Sequence, residues 1–317
     1  MKQDTLLKTV IERSENKPLY DDVCKQLLSN KMILAWIMKE CVPEYEDVGV
    51  EDIANKYIEG SPDATSISVL TGESIHGLST EDIGLNEGKV VYDIRYRATV
   101  PSDDGLIELL INVEAQNKYN PGYPLVKRGI YYSSRMISGQ YGSDFDKSDY
   151  KKIKKVYSIW LCRDVPKRLE NSITSYNITE TNHIGQLVEK KVNYDLMSVV
   201  MVYLGSAKDE QQSDLLRMLN ILLSEEVKAK EKLEILSNEF QMPTTTNLEE
   251  EVQAMCNLSQ GIEDRAIRKG IELNKLETAK KLLAMGLSTE DVSRGTGLEL
   301  GEVKNLKCNT GDKLCVI

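Results

Sequence analysis

The sequence predicts an α/β fold, a mixed sheet flanked by helices, followed by a region that is helical only. Three observations lead there. Two stretches between 89 and 118 alternate apolar and polar residues with period two, and stretches apolar on both faces follow at 155–162 and 196–204. Apolar residues at helical spacing precede and separate them, at 19–29, 31–41 and 123–141. From about Gln211 alternation stops, and leucines recur at helical intervals among acids and lysines.

Taken in order, residues 19–29 and 31–41 read as helices. The second carries Met32, Ile33, Ala35, Trp36, Ile37 and Met38 as a broad apolar surface and ends before Pro43. Residues 50–58 read as a short helix and 65–70 (TSISVL) as a strand. Gly72, Gly77, Gly84 and Gly88 among Glu73, Glu81, Asp82 and Glu87 then read as a flexible acidic loop. In KVVYDIRYRATV, 89–100, alternation places Tyr92, Ile94, Tyr96, Ala98 and Val100 on one side and Asp93, Arg95 and Arg97 on the other. In IELLINVEAQNK, 107–118, Leu109, Ile111, Val113 and Ala115 oppose Glu108, Asn112, Glu114, Gln116 and Lys118. The intervening Pro101, Ser102, Asp103, Asp104 and Gly105 are turn formers, and a hairpin folded about the 103–104 bond pairs position 93 with 114. A turn at Asn120, Pro121 and Gly122 leads into the helix 123–141, the buried strand 155–162 and added strands at 173–178 and 196–204.

The C-terminal third divides further. Residues 211–240 read as a helical cap or an oligomer surface, a break at 243–247 follows, and a charged helix covers 248–270. The tail from Leu276 reads as three short helices with glycine turns at Gly286 and at Gly295 and Gly297, a helix-turn-helix-like unit that serves either DNA or protein contact. The expected domains are therefore 1–205, 206–274 and 275–317.

Pairing position 93 with 114 sets Asp93 against Glu114. Opposed side chains lie about 4.5 to 5.5 Å apart at Cβ, where two carboxylates repel unless a cation lies between them. A hard divalent ion, Mg²⁺ or Mn²⁺, suits such oxygen ligands. A sheet with one solvated face bears scattered acids in the same alternation, so the pattern alone admits that reading too. The flanking residues favour chemistry. Gln116 and Lys118 continue the acidic face, and the next helix carries Arg128, Tyr132 and Arg135 at three- and four-residue intervals, to face a phosphate backbone or to pack the sheet. Phosphodiester hydrolysis uses such parts: carboxylates place a metal, the metal activates water, and cations neutralise the phosphate.

These residues resemble the PD-(D/E)XK nucleases. Asp93 with Glu114, Ala115 and Gln116 is similar to the D…E-x-Q form of that signature, with glutamine in the lysine position. The continuation from Asn117 (NKYNPGYPLVKRGIYYSSRMISGQYG), KIKKVYSIWLC at 152–162 and the stretches beginning at Asn30 and Gly77 are similar to the transposase-like, recombination-promoting nuclease family of bacteria. The resemblance covers roughly residues 20–205. It implies a PD-(D/E)XK restriction-endonuclease-like core and a Mg²⁺- or Mn²⁺-dependent DNA endonuclease. Asp93 and Glu114 would be metal ligands, and Glu40, near the end of the preceding helix, either a third or an ordinary surface glutamate; the acidic loop before the Asp93 strand, read as the rim of the site, offers Glu81 or Asp82 as further candidates. Gln116 would orient water, and Lys118 or Arg128 would steady the phosphate. The alternative of another class is a non-catalytic DNA-binding or protein-interaction member of the same fold.

Composition narrows the field. The chain has 317 residues, 41% apolar and 28% charged, as an ordinary globular protein does. Its net charge of −10 opposes indiscriminate attraction to DNA, so any nucleic-acid surface is local. The clearest basic run is Lys147, Lys151, Lys152, Lys154 and Lys155, continued by Arg163, Lys167 and Arg168, which is either that surface or a solvated face. With two histidines and six cysteines that lack C-x-x-C spacing, zinc sites and histidine-dependent triads are poorly supported. Carboxylates carry the chemistry. No run approaches the roughly 18 apolar residues that span a membrane, and the charged start lacks an apolar signal region, so a cytoplasmic protein is expected. Because a double-strand cut needs two sites of opposite polarity, a homo-oligomer is expected, with the leucines of 211–240 either at its interface or packed back on the sheet.

Overall fold

The computed structural model describes residues 17–58, 75, 78–84, 88–102, 105–209 and 213–310. They form two compact units, Pro18–Cys256 and, in its described part, Lys17 with residues 257–310. The strand expected at 65–70 lies outside the described residues.

In the first unit, helices α1 (Lys17–Leu28) and α2 (Lys31–Cys41) follow the apolar spacing of their sequences. Asn30 starts α2, its Oδ1 accepting the Met32 N–H at 2.9 Å, and Pro43 opens the 3₁₀ turn Pro43–Tyr45 that ends it. A helical turn, Val50–Asp52, then runs into the π-helical turn Ile53–Tyr57.

Two expectations change at the first strands. Part of the segment read as a flexible loop is an antiparallel hairpin of β1 (Glu81–Gly84) and β2 (Gly88–Val91), with Glu81 opposite Val91. The strand read at 89–100 is two strands. β2 ends at Val91, the chain bends at Asp93, and β3 (Ile94–Ser102) enters a separate sheet. The bend also carries Tyr92 to the opposite side from Ile94, into the core beneath the next long helix.

That second sheet has β3, β4 (Gly105–Gln116), β5 (Lys155–Cys162), β7 (Met197–Tyr203) and β6 (Ser172–Asn177) in spatial order. The central β4, β5 and β7 run parallel, and β3 and β6 flank them antiparallel, so the sheet is mixed. β5 and β7 are buried on both faces, as their unbroken apolar sequences require.

Helix α3 (Leu125–Ser138) makes the crossover from β4 to β5 and covers one face of the sheet. Leu125, Tyr132 and Met136 share a core with Leu110, Trp160, Val199 and Met201. Gly129 lets the helix sit close: a Cβ there would lie 2.6 Å from Val199 Cγ1 and 3.0 Å from Trp160 Nε1. Along β3, the Tyr45 hydroxyl donates to the Thr99 carbonyl at 2.6 Å, and Ile58 bridges Ala98.

The leucine-spaced region 211–240 forms two helices, α4 (Asp214–Leu222) and α5 (Ala229–Phe240), inside this same unit. Residues 223–228 separate them, braced by Lys232 of α5. Its fully buried ammonium donates to the carbonyls of Leu222 at 2.7 Å and Ser224 at 2.6 Å, which satisfies the end of α4. Leu215, Leu216, Leu219 and Leu222 are buried, and Phe240 meets Trp36 of α2 edge-on at 5.4 Å. The apolar surface offered for self-association is thus buried within the unit. Helix α6 (Thr246–Ala284) continues the chain through the charged stretch.

In the second unit the end of α6, α7 (Thr289–Thr296) and α8 (Leu300–Thr310) enclose Ala279, Val292, Leu298 and Val303. Ser288 caps α7 by accepting the Asp291 N–H at 3.1 Å, and Gly297 ends it at φ +68°. The expected three-helix tail is present, with the end of a 39-residue helix as its first member. Among the described residues no helix is long and apolar enough to cross a membrane.

Candidate active site

The β3–β4 ladder pairs Ile94 with Val113 and Ser102 with Gly105, the register of a hairpin folded about the 103–104 bond. Asp93, one residue before β3, therefore lies across from Glu114. The two residues exchange side-chain bonds in place of a further ladder step. The Asp93 N–H donates to Glu114 Oε1 at 3.1 Å, and the Ala115 N–H donates to Asp93 Oδ2 at 2.9 Å. Each carboxylate holds the other's strand.

The face that bears them is not solvated, because α3 covers it. Glu114 is 3% exposed, and Asn112 and Ser158 on the same face are fully buried. A scattered surface acid does not account for Glu114. Burial raises its pKa, the Asp93 charge raises it further, and the Asp93 N–H, Arg128 and Lys25 oppose these effects.

Lys25, on α1, places Nζ 3.0 Å from Asp93 Oδ1, with 29% of its side chain exposed. A cation does stand against the acidic pair, the Lys25 ammonium. Sequence reasoning missed Lys25, since one lysine in an amphipathic helix signals nothing until the helix is docked. It also missed a polar chain behind Glu114. The Trp160 indole donates to Ser158 Oγ at 2.9 Å, Ser158 Oγ donates to Asn112 Oδ1 at 2.6 Å, and Asn112 Nδ2 donates to Glu114 Oε1 at 2.6 Å. Its only trace in the sequence is N-x-E on one strand and S-x-W on the next.

Arg128 reaches the site from α3. Its guanidinium lies over the Tyr132 and Trp160 rings at 4.9 and 5.2 Å and donates to the Tyr132 hydroxyl at 2.6 Å. Tyr132 itself is core: it is 7% exposed, packs on Tyr92 and Trp160, and donates its hydroxyl to the Val91 carbonyl at 3.3 Å. Arg135 is also buried, 5% exposed, its Nη1 donating to the Tyr131 hydroxyl at 3.4 Å. Of the three α3 residues singled out, Arg128 is the one the fold brings partly to solvent beside the carboxylates.

β4 ends at Gln116, so the even-spaced face does not extend to Lys118 as a strand. The Gln116 amide instead donates Nε2 to the Lys118 carbonyl at 3.0 Å and ties down the turn. Glu40 is exposed on the last turn of α2. Among the described residues no third Asp, Glu, His or Cys joins the pair in a metal-holding group, which leaves Glu40 apart from it. Glu81 and Asp82 fall in β1, and their side chains lie outside the described residues.

The lysines of the basic run lie elsewhere, whereas Arg163, just past β5, donates its backbone N–H to the Gln116 carbonyl at 2.9 Å. Lys155 begins β5, whereas Trp160, the β5 partner of Glu114, is five residues, about 16 Å, farther along it. Lys155 is paired with Glu44 at 2.9 Å and Asp195 at 2.7 Å, and Lys154 with Asp144 at 2.6 Å and with Glu108. Internal acids neutralise these lysines.

Residues 84–255 match the family model described as PD-(D/E)XK nuclease family transposase. No curated protein and no solved structure matches the chain.

Proposed function

We propose that this chain, which belongs to the PD-(D/E)XK nuclease family transposases, is a divalent-metal-dependent DNA endonuclease that cleaves phosphodiester bonds at Asp93 and Glu114. One observation carries the reading: a buried carboxylate facing a second carboxylate, each locked by the other's backbone, with an ammonium set against them. Two acids held this way create a demand for positive charge that a bound cation meets.

The donor set suits a hard divalent ion. Asp93 and Glu114 would hold it, Glu114 through Oε2, since both hydrogen bonds it accepts fall on Oε1. Mg²⁺ or Mn²⁺ there supplies an activated water and neutralises developing charge on the phosphate. The protein's own residues do the rest. Lys25, with Nζ 3.0 Å from Asp93 Oδ1, would neutralise a phosphate oxygen brought up to the acidic pair. Gln116, its Nε2 committed to Lys118, presents Oε1 as an acceptor that orients a water. Arg128, held flat by two rings, offers a pre-aligned guanidinium to the backbone of the substrate.

The test is supercoiled plasmid incubated with Mg²⁺ or Mn²⁺, with chelator and Asp93→Ala as controls. Nicking or linearisation that needs the metal and disappears in a folded Asp93→Ala protein is expected. Metal-independent cleavage, or cleavage retained by that variant, would leave a DNA-binding or interaction protein on a nuclease fold.

A further inference from the structure

The chain of hydrogen bonds behind Glu114 crosses two neighbouring parallel strands. The register sets Asn112 beside Ser158 and Glu114 beside Trp160. Asn112, Ser158 and Trp160 are all fully buried, so water does not substitute for any link. Direction follows from chemistry. An indole N–H can only donate. Ser158 Oγ accepts that proton at 2.9 Å and therefore turns its own hydrogen toward Asn112 Oδ1 at 2.6 Å. The amide is then fixed with its NH₂ toward Glu114 Oε1, also at 2.6 Å. The flipped amide would press two acceptors together at Glu114 and leave donors unmatched at Ser158, a costly arrangement in a buried site. Glu114 Oε1 ends up held by two donors, Asn112 Nδ2 and the Asp93 N–H at 3.1 Å, so the rotation of the carboxylate is set.

We infer that Trp160, Ser158 and Asn112 are positioning residues that fix the Glu114 carboxylate, with Trp160 setting the polarity of the chain. The assignment of Glu114 to a nuclease site is the reading given above, and this inference rests on it. Trp160 is itself anchored on two sides. Arg128 lies over its ring, and the missing side chain of Gly129 leaves room for its Nε1.

The chain has two tryptophans. The Trp36 indole nitrogen is buried without a hydrogen-bond partner, which makes it an internal reference for Trp160. In ¹H–¹⁵N spectra of the metal-free full-length protein at pH 9, with Trp36→Phe for assignment, Glu114→Gln should move the Trp160 indole signal and leave that of Trp36 in place. In plasmid cleavage with Mg²⁺, Ser158→Ala, which frees the Asn112 amide that holds Glu114, should lower kcat about 10-fold, the low end of the effect of losing the hydrogen-bond partner of a metal ligand, with KM for DNA unchanged. Ser158→Thr, which keeps the hydroxyl, should recover most of the loss. Ser133→Ala, which removes a hydroxyl from the same core that is buried and unpartnered, should match wild type. Where Ser158→Ala does not fold, Trp160→Phe keeps the ring, removes the donor and should show the same kcat loss. An indole signal indifferent to Glu114→Gln, or wild-type kcat in Ser158→Ala or Trp160→Phe, overturns the inference. A moved indole signal in a protein that never cleaves DNA would keep the hydrogen-bond chain and reject the nuclease reading.

Discussion

Glu114→Gln should stabilise the metal-free protein at alkaline pH and leave it unchanged in acid. The substitution keeps Oε1, with its bonds from Asn112 and the Asp93 N–H, and replaces Oε2 by an uncharged NH₂. It removes a buried charge. Burial first, and the Asp93 charge second, push the Glu114 pKa from 4.5 up to about 8. The folded state therefore holds its proton where the unfolded chain has lost it. The stability this lends is complete below about pH 4.5 and is lost as pH rises through 8, because ionisation then has to occur inside the fold. At about 1.4 kcal/mol per pH unit, the interval from 4.5 to about 8 sets a ceiling near 5 kcal/mol. Asp93 is 17% exposed and admits water to one side of the pair, so we take about half of that ceiling. For a unit spanning Pro18–Cys256, about 2 to 3 kcal/mol corresponds to roughly 5 to 10 °C in Tm. Calorimetry of wild type and Glu114→Gln in chelator from pH 5 to 9 should show coincident transitions at pH 5 and a gap that opens toward pH 9. A gap that does not change with pH, or a variant less stable than wild type at pH 9, would refute the argument that ionised Glu114 is a strained buried charge.

Three further outcomes are expected. Mg²⁺ should raise the Tm of wild type more than that of Asp93→Asn, since the metal relieves a repulsion the variant lacks; an equal rise in both, by differential scanning fluorimetry, removes the metal from this pair. Lys25→Met should lower cleavage by about 10²- to 10³-fold, the cost of losing one donor at a developing charge, while Mg²⁺ binding by calorimetry holds or tightens; if Lys118→Met shows that loss instead, the phosphate contact belongs to Lys118. Gly129→Ala should destabilise the first unit by about 1 to 3 kcal/mol in urea unfolding, because its Cβ would stand 2.6 Å from Val199 Cγ1; wild-type stability would mean that α3 can lift from the sheet without loss.

Much of the core was legible in the sequence because it depends on periodicity. Period-two alternation placed Ile94, Tyr96, Ala98, Ile111 and Val113 on a common buried face, and turn formers at 101–105 set the register that brings Asp93 to Glu114. The hairpin needs only local information, so its consequence was available early. The break at Asp93 was not, since a bend held by a side chain from another strand carries no local signature. The same holds for the split between α4 and α5, where the deciding contact is the Lys232 ammonium reaching back to two carbonyls. The leucines of 211–240 fitted an interface and an interior equally well by spacing, and only docking buried them.

By itself, then, the sequence determined which residue types alternate, where the chain turns and which two carboxylates oppose each other, because each of these is set within a few residues or across one short hairpin. The tertiary structure decided the surroundings that turn the pair into a site. α1 carries Lys25 to Asp93, α3 seals the face around Glu114, and β5 brings Ser158 and Trp160 alongside Asn112. Those neighbours come from segments separated by about 20 to 130 residues in the chain, where spacing conveys nothing. Charge, burial and hydrogen-bond polarity at Glu114 are properties of the packed interior, and they exist only once helix and strands have met.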